Sequence, residues 1–91
     1  MYEIEYTGLF KRKVKRLKKR GYDLSLLESV IAELKETGTL QEKYQPHKLT
    51  GNYAGFWECH IKPDWLLVWA KEENRLVLVM IDTGTHSDIF G

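Results

Sequence analysis

Residues 56–81 have the sequence FWECHIKPDWLLVWAKEENRLVLVMI, in which three apolar runs follow one another with only short polar breaks between them. The runs are rich in valine, leucine, isoleucine and tryptophan, which favour β-strands. Their predicted bounds are Phe56 to Ile61, Leu66 to Lys71 and Arg75 to Ile81. A proline-aspartate pair at 63–64 and the polar triplet at 72–74 supply the two turns. This stretch therefore predicts three consecutive strands of one sheet.

The segment before these strands predicts one further strand and a pair of helices. Residues 1–6 alternate apolar and acidic side chains, which is the period of a half-buried strand. A first helix is expected from a cap at Thr7 to Gly21, because apolar residues recur there at helical spacing. A second helix is expected to begin near Asp23 or Ser25.

The second helix has a predicted capping box between Ser25 and Glu28 and a predicted end at Gly38. Residues 39–55 are expected to be irregular, because proline and glycine punctuate them. The resulting order, β-α-α-β-β-β, predicts an α+β fold in which a helical hairpin covers one face of a mostly antiparallel sheet. All 91 residues, 1–91, fit a single domain.

Composition excludes several classes of protein. With 43% hydrophobic residues and a net charge of +1, the chain does not have the composition of a disordered protein. No apolar run approaches the roughly 20 residues that a membrane span requires, and the N-terminus lacks the apolar core of a signal peptide. The single cysteine excludes an internal disulfide. We therefore expect a cytoplasmic protein with no membrane partner.

The small net charge conceals a concentrated basic segment. Eight of the 14 basic residues lie between Lys11 and Arg20, and none of the 13 acidic residues does. Such a helix is expected to meet phosphates or an acidic protein segment. The alternative is a solvated helix face without a partner.

Strand alternation separates neighbouring side chains of the first predicted strand in residues 56–81. Trp57, Cys59 and Ile61 fall on one face, which we expect the helices to cover, because a small apolar thiol belongs in a core. Glu58 and His60 then share the open face. This pattern places a histidine beside a carboxylate.

The three histidines, His47, His60 and His86, are the candidates for chemistry, because histidine can transfer a proton near neutral pH. The standard sequence motifs for a metal, a nucleotide or a serine nucleophile are absent, so no metal and no cofactor is expected. Cleavage of RNA without a metal needs a base, an acid and a cation near the phosphate. Structural roles remain the alternative for each histidine.

Three motifs resemble one known family. The segment from Gly55 to Val68, GFWECHIKPDWLLV, is similar to the G-Y-R-E-C-H-I-x-P-D-W-L-L-I segment of YafQ-type toxins in the RelE superfamily. HKLTG at 47–51 resembles their H-x-L-x-G loop, and TGTHSDIF at 83–90 resembles their closing T-G-T/S-H-S-D-L-F. The resemblance extends from the first strand to the last residue.

The resemblance implies a RelE-like α+β fold and the toxin of a type II toxin–antitoxin pair, a ribosome-dependent endoribonuclease that cleaves mRNA. It also implies a cognate antitoxin, the ribosome and mRNA as partners, with the basic helix from Lys11 to Arg20 as the surface for ribosomal RNA or the antitoxin. Carried over by position, the catalytic group is His47, His60, Asp64 and His86. Among these, His86 and His47 are expected to be the main acid–base pair. Trp65 and Phe90 fall at substrate-contact positions; the alternatives are edge packing and a C-terminal core plug.

Two positions depart from the family pattern. Asp82 and Trp57 stand where these toxins usually have arginine. Strand alternation places Asp82 on the face of Leu76, Leu78 and Met80, and a carboxylate near the histidines would repel the scissile phosphate and reduce activity. A nearby cation is then expected to replace the arginine, with three candidates: Lys48, Lys62 and Arg75.

Two other functions stay open at this point. One is a weak or inactive toxin that acts by binding, for example as a ParE-like gyrase inhibitor. The other is a basic nucleic-acid-binding module that uses the Lys11 to Arg20 helix. The ParE branch lacks this histidine set, so the histidines favour the nuclease.

Overall fold

The computed structural model describes residues 1–91, along which strands and helices follow one another in the expected order. Their bounds are β1 Glu3–Tyr6, α1 Gly8–Lys19, α2 Leu24–Thr37, β2 His47–Lys48, β3 Trp57–Lys62, β4 Trp65–Glu72, β5 Val77–Gly84 and α3 His86–Phe90. Two short 3-10 turns, Glu42–Tyr44 and Gly51–Tyr53, flank β2. The predicted elements are confirmed to within a few residues, and β2 and α3 are additional.

The five strands form one sheet in the order β1-β5-β4-β3-β2. Only β1 and β5 pair in parallel, and the other three pairs of neighbours are antiparallel. The α+β fold with a mostly antiparallel sheet is therefore confirmed. Leu66 pairs with Gly84, so the end of β5 lies beside the turn that joins β3 to β4.

Side-chain caps begin both long helices. The Thr7 hydroxyl accepts from the backbone N of Phe10 at 3.0 Å and lies 3.1 Å from the Met80 carbonyl, so it joins the start of α1 to β5. Asp23 caps α2 by accepting from the backbone N of Ser25 at 3.0 Å. The predicted capping box between Ser25 and Glu28 is therefore wrong, because the cap lies two residues earlier. Gly38, with φ of 76°, ends α2 as predicted.

The main core lies between the two long helices and one face of the sheet. Its buried members are Phe10, Leu17, Leu27, Val30, Leu34, Cys59, Trp65, Leu67, Trp69, Leu78 and Met80. Burying one large aliphatic side chain of this kind stabilises the fold by roughly 1.5–3 kcal/mol. Cys59 faces the helices as expected, and burial raises the pKa of its thiol to about 12.

The second face of the sheet is less open than predicted, because Leu66 and Val68 point away from the main core and are also buried. The strand pairing also changes near the end of β5, where Trp69 pairs with Met80 and Val68 pairs with Asp82. One extra residue, Ile81, therefore bulges out of the ladder.

Because of this bulge, alternation counted from Met80 does not carry through to Asp82. Asp82 nevertheless reaches α1, the helix that packs over Leu78 and Met80, so its contacts agree with the predicted placement beside these two residues. Only Leu76 departs from the prediction. Leu76 itself lies before β5 in the turn, exposed and with φ of 52°.

Residues 39–55, expected to be irregular, contain the two-residue strand β2. His47 pairs with Glu58 and Lys48 pairs with Trp57, so the short strand extends the sheet beyond β3. Neither α1, α2 nor α3 is long and apolar enough to cross a membrane.

Candidate active site

The end of β5 brings His86 against the turn between β3 and β4. Asp64 Oδ1 accepts two hydrogen bonds from His86, one from its backbone N at 2.9 Å and one from Nδ1 at 2.5 Å. These bonds, the backbone one foremost, hold the pKa of Asp64 below its usual range. Because Nδ1 donates to the carboxylate, Nε2 of the neutral ring keeps a free lone pair. His86 and Asp64 thus form an oriented, exposed proton acceptor.

The pairing of β2 with β3 brings His47 against Glu58. His47 Nε2 lies 3.1 Å from Glu58 Oε1, and His47 Nδ1 lies 2.7 Å from the Gln45 carbonyl oxygen. The Gln45 carbonyl only accepts hydrogen bonds, so Nδ1 donates to it, while Nε2 lies against Glu58 at ion-pair distance. His47 is therefore held between a backbone carbonyl on one side and the Glu58 carboxylate on the other.

His60 lies between the other two histidines. Its ring centre is 6.1 Å from that of His47 and 5.8 Å from that of His86. His60 Nε2 is 3.9 Å from Glu58 Oε1, and no hydrogen bond occupies either ring nitrogen. The three histidines thus form a row, with Asp64 against His86 at one end and Glu58 between His47 and His60, and the middle ring is the one without a hydrogen bond.

Glu58 is the site residue that the sequence interpretation left out, although alternation had placed it beside His60. Its side chain is only 6% exposed, and its Oε2 has no hydrogen-bond partner. A buried carboxylate is costly unless it is paired. Its Oε1 lies between His47 and His60, at 3.1 Å and 3.9 Å from their Nε2 atoms, so the buried charge faces the two histidines.

Comparison with known proteins identifies the family to which this chain belongs. A family model described as "Bacterial toxin of type II toxin-antitoxin system, YafQ" matches residues 2–91. A protein of Escherichia coli strain K12 named "mRNA interferase toxin YafQ" is 33% identical over 90 residues, which are 98% of this chain and 96% of that protein. The chain belongs to the YafQ family of bacterial toxins.

Solved structures of YafQ-type toxins have the same fold. A mutant YafQ from E. coli superposes with a TM-score of 0.91 at 30% identity, and each chain is fully covered. YafQ in an E. coli DinJ–YafQ complex gives 0.88 at 32% identity, again with full coverage of both chains. A metal-bound toxin from Helicobacter pylori gives 0.90 at 39% identity, covering 99% of this chain and 100% of that one.

Among the cations predicted to replace the missing arginine, only Lys62 lies beside a histidine in this YafQ-family site. Lys62, Lys43 and His60 line one open cavity of about 530 Å³. Lys48 points to the other face of β2, where its Nζ lies 5.6 Å from the centre of the Trp57 ring. Arg75 is at the far end of β4 and pairs with Glu72 at 2.6 Å.

The two predicted substrate-contact aromatics have different surroundings. Trp65 is 2% exposed, and its Nε1 donates to Thr83 Oγ1 at 3.1 Å. A ring buried in this way has no free face for a base, so the prediction of substrate contact by Trp65 is not supported and core packing replaces it. Phe90 is 44% exposed and meets the Tyr53 ring edge-on at 5.0 Å, which leaves it accessible.

Trp57 and Asp82, the two residues that replace family arginines, both make contacts within the fold. Trp57 stacks on Trp69, with ring centres 6.3 Å apart. Asp82 Oδ1 is 2.9 Å from Lys13 Nζ of α1, and it also accepts from the backbone N of Thr83 at 2.8 Å. Asp82 is therefore charge-paired within the fold and makes no contact with a histidine.

The side chains of this site do not form a ready metal centre. No group of three or more histidine, cysteine, aspartate or glutamate side chains is arranged to hold a metal ion. The carboxylates instead contact the histidines in pairs, Asp64 with His86 and Glu58 with His47.

Proposed function

We propose that this toxin is an endoribonuclease that cleaves mRNA on the ribosome by histidine acid–base catalysis. The observation that carries the proposal is the row of three histidines with an oriented His86–Asp64 pair at one end and His47–Glu58 at the other. The E. coli relatives named mRNA interferases support the same substrate class.

The geometry favours His86 and His60 as the groups that meet the reacting phosphate. His86 Nε2 is free to take the proton of the attacking 2′-hydroxyl, while His60 has no hydrogen bond to give up before it protonates the leaving 5′-oxygen. Both nitrogens of His47 are engaged, so we assign it to charge and orientation through Glu58. This differs from the sequence-based choice of His86 with His47.

The remaining predicted substrate contacts follow from exposure. Lys62 is the cation placed to balance the charge of the phosphorane, and Phe90 offers an exposed ring on which an unpaired base can stack. Lys48, on the other face of β2, is suited to contacting the RNA backbone away from the histidines.

Reduced activity relative to other family members also stays a prediction. The expected cause was a free carboxylate at Asp82 repelling the phosphate. Because Lys13 neutralises Asp82, the cause that remains is the missing arginine itself, which leaves Lys62 and Lys43 as the cations that share a cavity with His60.

The partners proposed for the toxin are an antitoxin, the ribosome and mRNA, all met in the cytoplasm. The E. coli relative is described in a complex with DinJ, which supports an antitoxin partner. Six basic residues of the Lys11 to Arg20 segment are exposed and have no acidic partner: Lys11, Arg12, Lys15, Arg16, Lys18 and Lys19. Such a surface suits ribosomal RNA or an acidic antitoxin segment.

The test is cleavage of a defined mRNA on purified ribosomes, with both new ends mapped. Codon-phased cuts with a 2′,3′-cyclic or 3′-phosphate end are expected, and 3′-hydroxyl ends would contradict the mechanism. Because an H. pylori relative is metal-bound, parallel reactions at constant Mg²⁺ contain a chelator selective for transition metals or added Cu²⁺ and Zn²⁺; loss of cleavage with the chelator would contradict metal independence of the toxin. When the protein is expressed in cells, growth arrest with intact mRNA would favour a toxin that acts by binding.

A further inference from the structure

The short helix α3 carries both His86 and the exposed ring of Phe90. It has five residues, too few for a helix to be stable on its own. The position of His86 therefore depends on the contacts that hold α3 to the rest of the fold. Apart from Asp64, the charged contacts come from α1.

Asp88 is the centre of those contacts. It forms a capping box with Thr85, in which Thr85 N donates to Asp88 Oδ2 at 2.9 Å and Asp88 N donates to Thr85 Oγ1 at 3.1 Å. The same Oδ2 lies 2.9 Å from Arg20 Nη1, just past the end of α1. One carboxylate thus closes the first turn of α3 and joins it to α1.

Lys13 makes the second connection. Its Nζ donates to Asp82 Oδ1 at 2.9 Å and to the Asp88 carbonyl oxygen at 3.1 Å. The Lys13 and Asp82 side chains are only 12% and 13% exposed. A lysine removed from water to this extent requires partners, and removing one partner leaves a buried charge without compensation. Lys13 therefore ties the end of β5 and the body of α3 to one point on α1.

Little space is left for α3 to shift. A Cβ atom at Gly84 would come within 2.8 Å of the Asp88 side chain, so the two residues pack without a gap. On the other side, the Tyr53 hydroxyl donates to the Ile89 carbonyl at 3.3 Å. Rotating α3 would break these contacts together with the bond between His86 and Asp64.

We propose that Lys13 and Arg20 are positioning residues for His86: through Asp82 and Asp88 they fix α3 so that His86 faces Asp64 and His60. The inference rests on the proposed nuclease function for its consequence in catalysis. Lys13 and Arg20 then form ion pairs within the protein, whereas the other basic residues of the segment face solvent. The inference also explains why an aspartate suits position 82: an arginine there would place a second positive charge beside Lys13.

The test compares Lys13→Met and Arg20→Met with Lys35→Met, a control at an exposed lysine of α2 that has no acidic partner. Two kinds of measurement are made on the full chain: NMR of the histidine rings, and kinetics of mRNA cleavage on ribosomes, which give kcat and KM. We expect both variants to shift the His86 resonances and lower kcat by about 10- to 100-fold with a nearly constant KM, because misplacing a catalytic group by about 1 Å has an effect of this size. The control should change neither quantity.

Lys15→Met separates positioning from loss of surface charge, because it removes an exposed cation of α1 that has no acidic partner and should leave the His86 resonances unchanged. Lys13→Arg keeps a cation that can donate to both Asp82 and the Asp88 carbonyl, so it should recover part of the effect of Lys13→Met. Arg20→Lys should likewise recover part of the effect of Arg20→Met. If Lys13→Met does not fold, Lys13→Arg and the half-exposed Arg20 provide the test.

Unchanged His86 resonances in Arg20→Met and Lys13→Met, or a Lys15→Met protein that shifts these resonances as much as Lys13→Met does, would overturn the inference. A rise in KM at constant kcat would do the same, because it would assign the two cations to ribosome binding. If the parent protein cleaves no mRNA, the proposed function fails, while the resonances still decide whether α1 positions His86.

Discussion

Trp65 Nε1 donates a hydrogen bond to Thr83 Oγ1, and the same hydroxyl donates to the Leu66 carbonyl at 2.7 Å. The bond joins the first residue of β4 to the end of β5, directly between the turn that holds Asp64 and the helix that begins with His86. Trp65, which the family resemblance placed at a substrate-contact position, thus holds β4 and β5 together beneath the histidine site.

Trp65→Phe should show this role. Phenylalanine keeps an aromatic ring but loses the Nε1 donor, so we expect the free energy of unfolding to fall by about 1 kcal/mol, the usual contribution of a hydrogen bond, in addition to some loss of packing. Denaturant unfolding measures this change. Phe90→Leu is the comparison: if Phe90 stacks on a base, it should raise KM for mRNA with little effect on stability. A Trp65→Phe protein of parental stability and raised KM would return Trp65 to the substrate surface.

The His86–Asp64 pair predicts a graded loss of cleavage. His86→Ala should lower the rate by roughly 10²–10⁴, the range for loss of a general acid or base. Asp64→Asn should lower it less, about 10- to 100-fold, because the amide still accepts one bond but no longer favours the ring orientation as a carboxylate does. Single-turnover cleavage on programmed ribosomes measures both. Equal rates for Asp64→Asn and the parent protein would show that the carboxylate does not orient His86.

Glu58→Gln should separate activity from stability. Glutamine removes the buried charge but also weakens the contact with His47, so the two effects oppose each other and the free energy of unfolding should change by no more than about 1 kcal/mol. Cleavage should fall about tenfold or more, because His47 and His60 lose the carboxylate between them. Thermal unfolding and cleavage are measured on the same preparation. A variant that is destabilised but fully active would make Glu58 a structural residue.

The regular part of the fold was predictable because local patterns determine it. The apolar runs of β3, β4 and β5 and the capped α1 and α2 each bury one face, and alternation correctly placed Cys59 inside and His60 beside Glu58. The bulge at Ile81 was not predictable, since counting alternate residues assumes that no residue is inserted. The two residues of β2 form a strand only because β3 pairs with them.

The site was predictable in its residues and less so in its contacts. Resemblance pointed to the three histidines and Asp64, and the structure brings them together as a row. The resemblance alone did not reveal that Trp65 is buried or that Lys13 neutralises Asp82, because both depend on contacts between β4, β5 and α1. The helix α3 escaped prediction because five residues carry no helical period.

Lys62 should be the cation that matters most for the chemical step. Lys62→Ala is expected to lower cleavage about tenfold, a loss of about 1.4 kcal/mol of transition-state stabilisation, while Lys35→Ala at an unrelated exposed site should have no effect. Lys48→Ala should act on KM more than on kcat, because its side chain lies on the other face of β2. Single-turnover rates and KM are compared at one salt concentration. A larger fall in kcat for Lys48→Ala than for Lys62→Ala would reverse this assignment.

The contact between Asp88 and α1 predicts a loosening of α3 in acid. Hydrogen bonding by the Thr85 backbone, followed by that of Arg20, lowers the pKa of Asp88 from 3.8 to about 2. A carboxyl whose pKa is lowered by folding adds stability above its unfolded pKa and loses it as the pH falls through the folded one. The contribution of Asp88 is therefore complete near neutral pH and is lost between about pH 4 and pH 2.

Partial solvent exposure limits the size of this effect to the order of 1 kcal/mol. It is measured as the acid dependence of amide hydrogen exchange in α3, with Asp88→Asn as the matched variant. The open-state fraction of α3 in the parent protein, obtained by dividing its exchange rates by the intrinsic rates at each pH, should rise as the pH falls over this interval, whereas Asp88→Asn should show a larger open-state fraction already at pH 6 and lose most of the acid-dependent change. A parent protein whose α3 exchanges at the same open-state fraction at pH 5 and pH 2.5 would show that Asp88 does not anchor the helix.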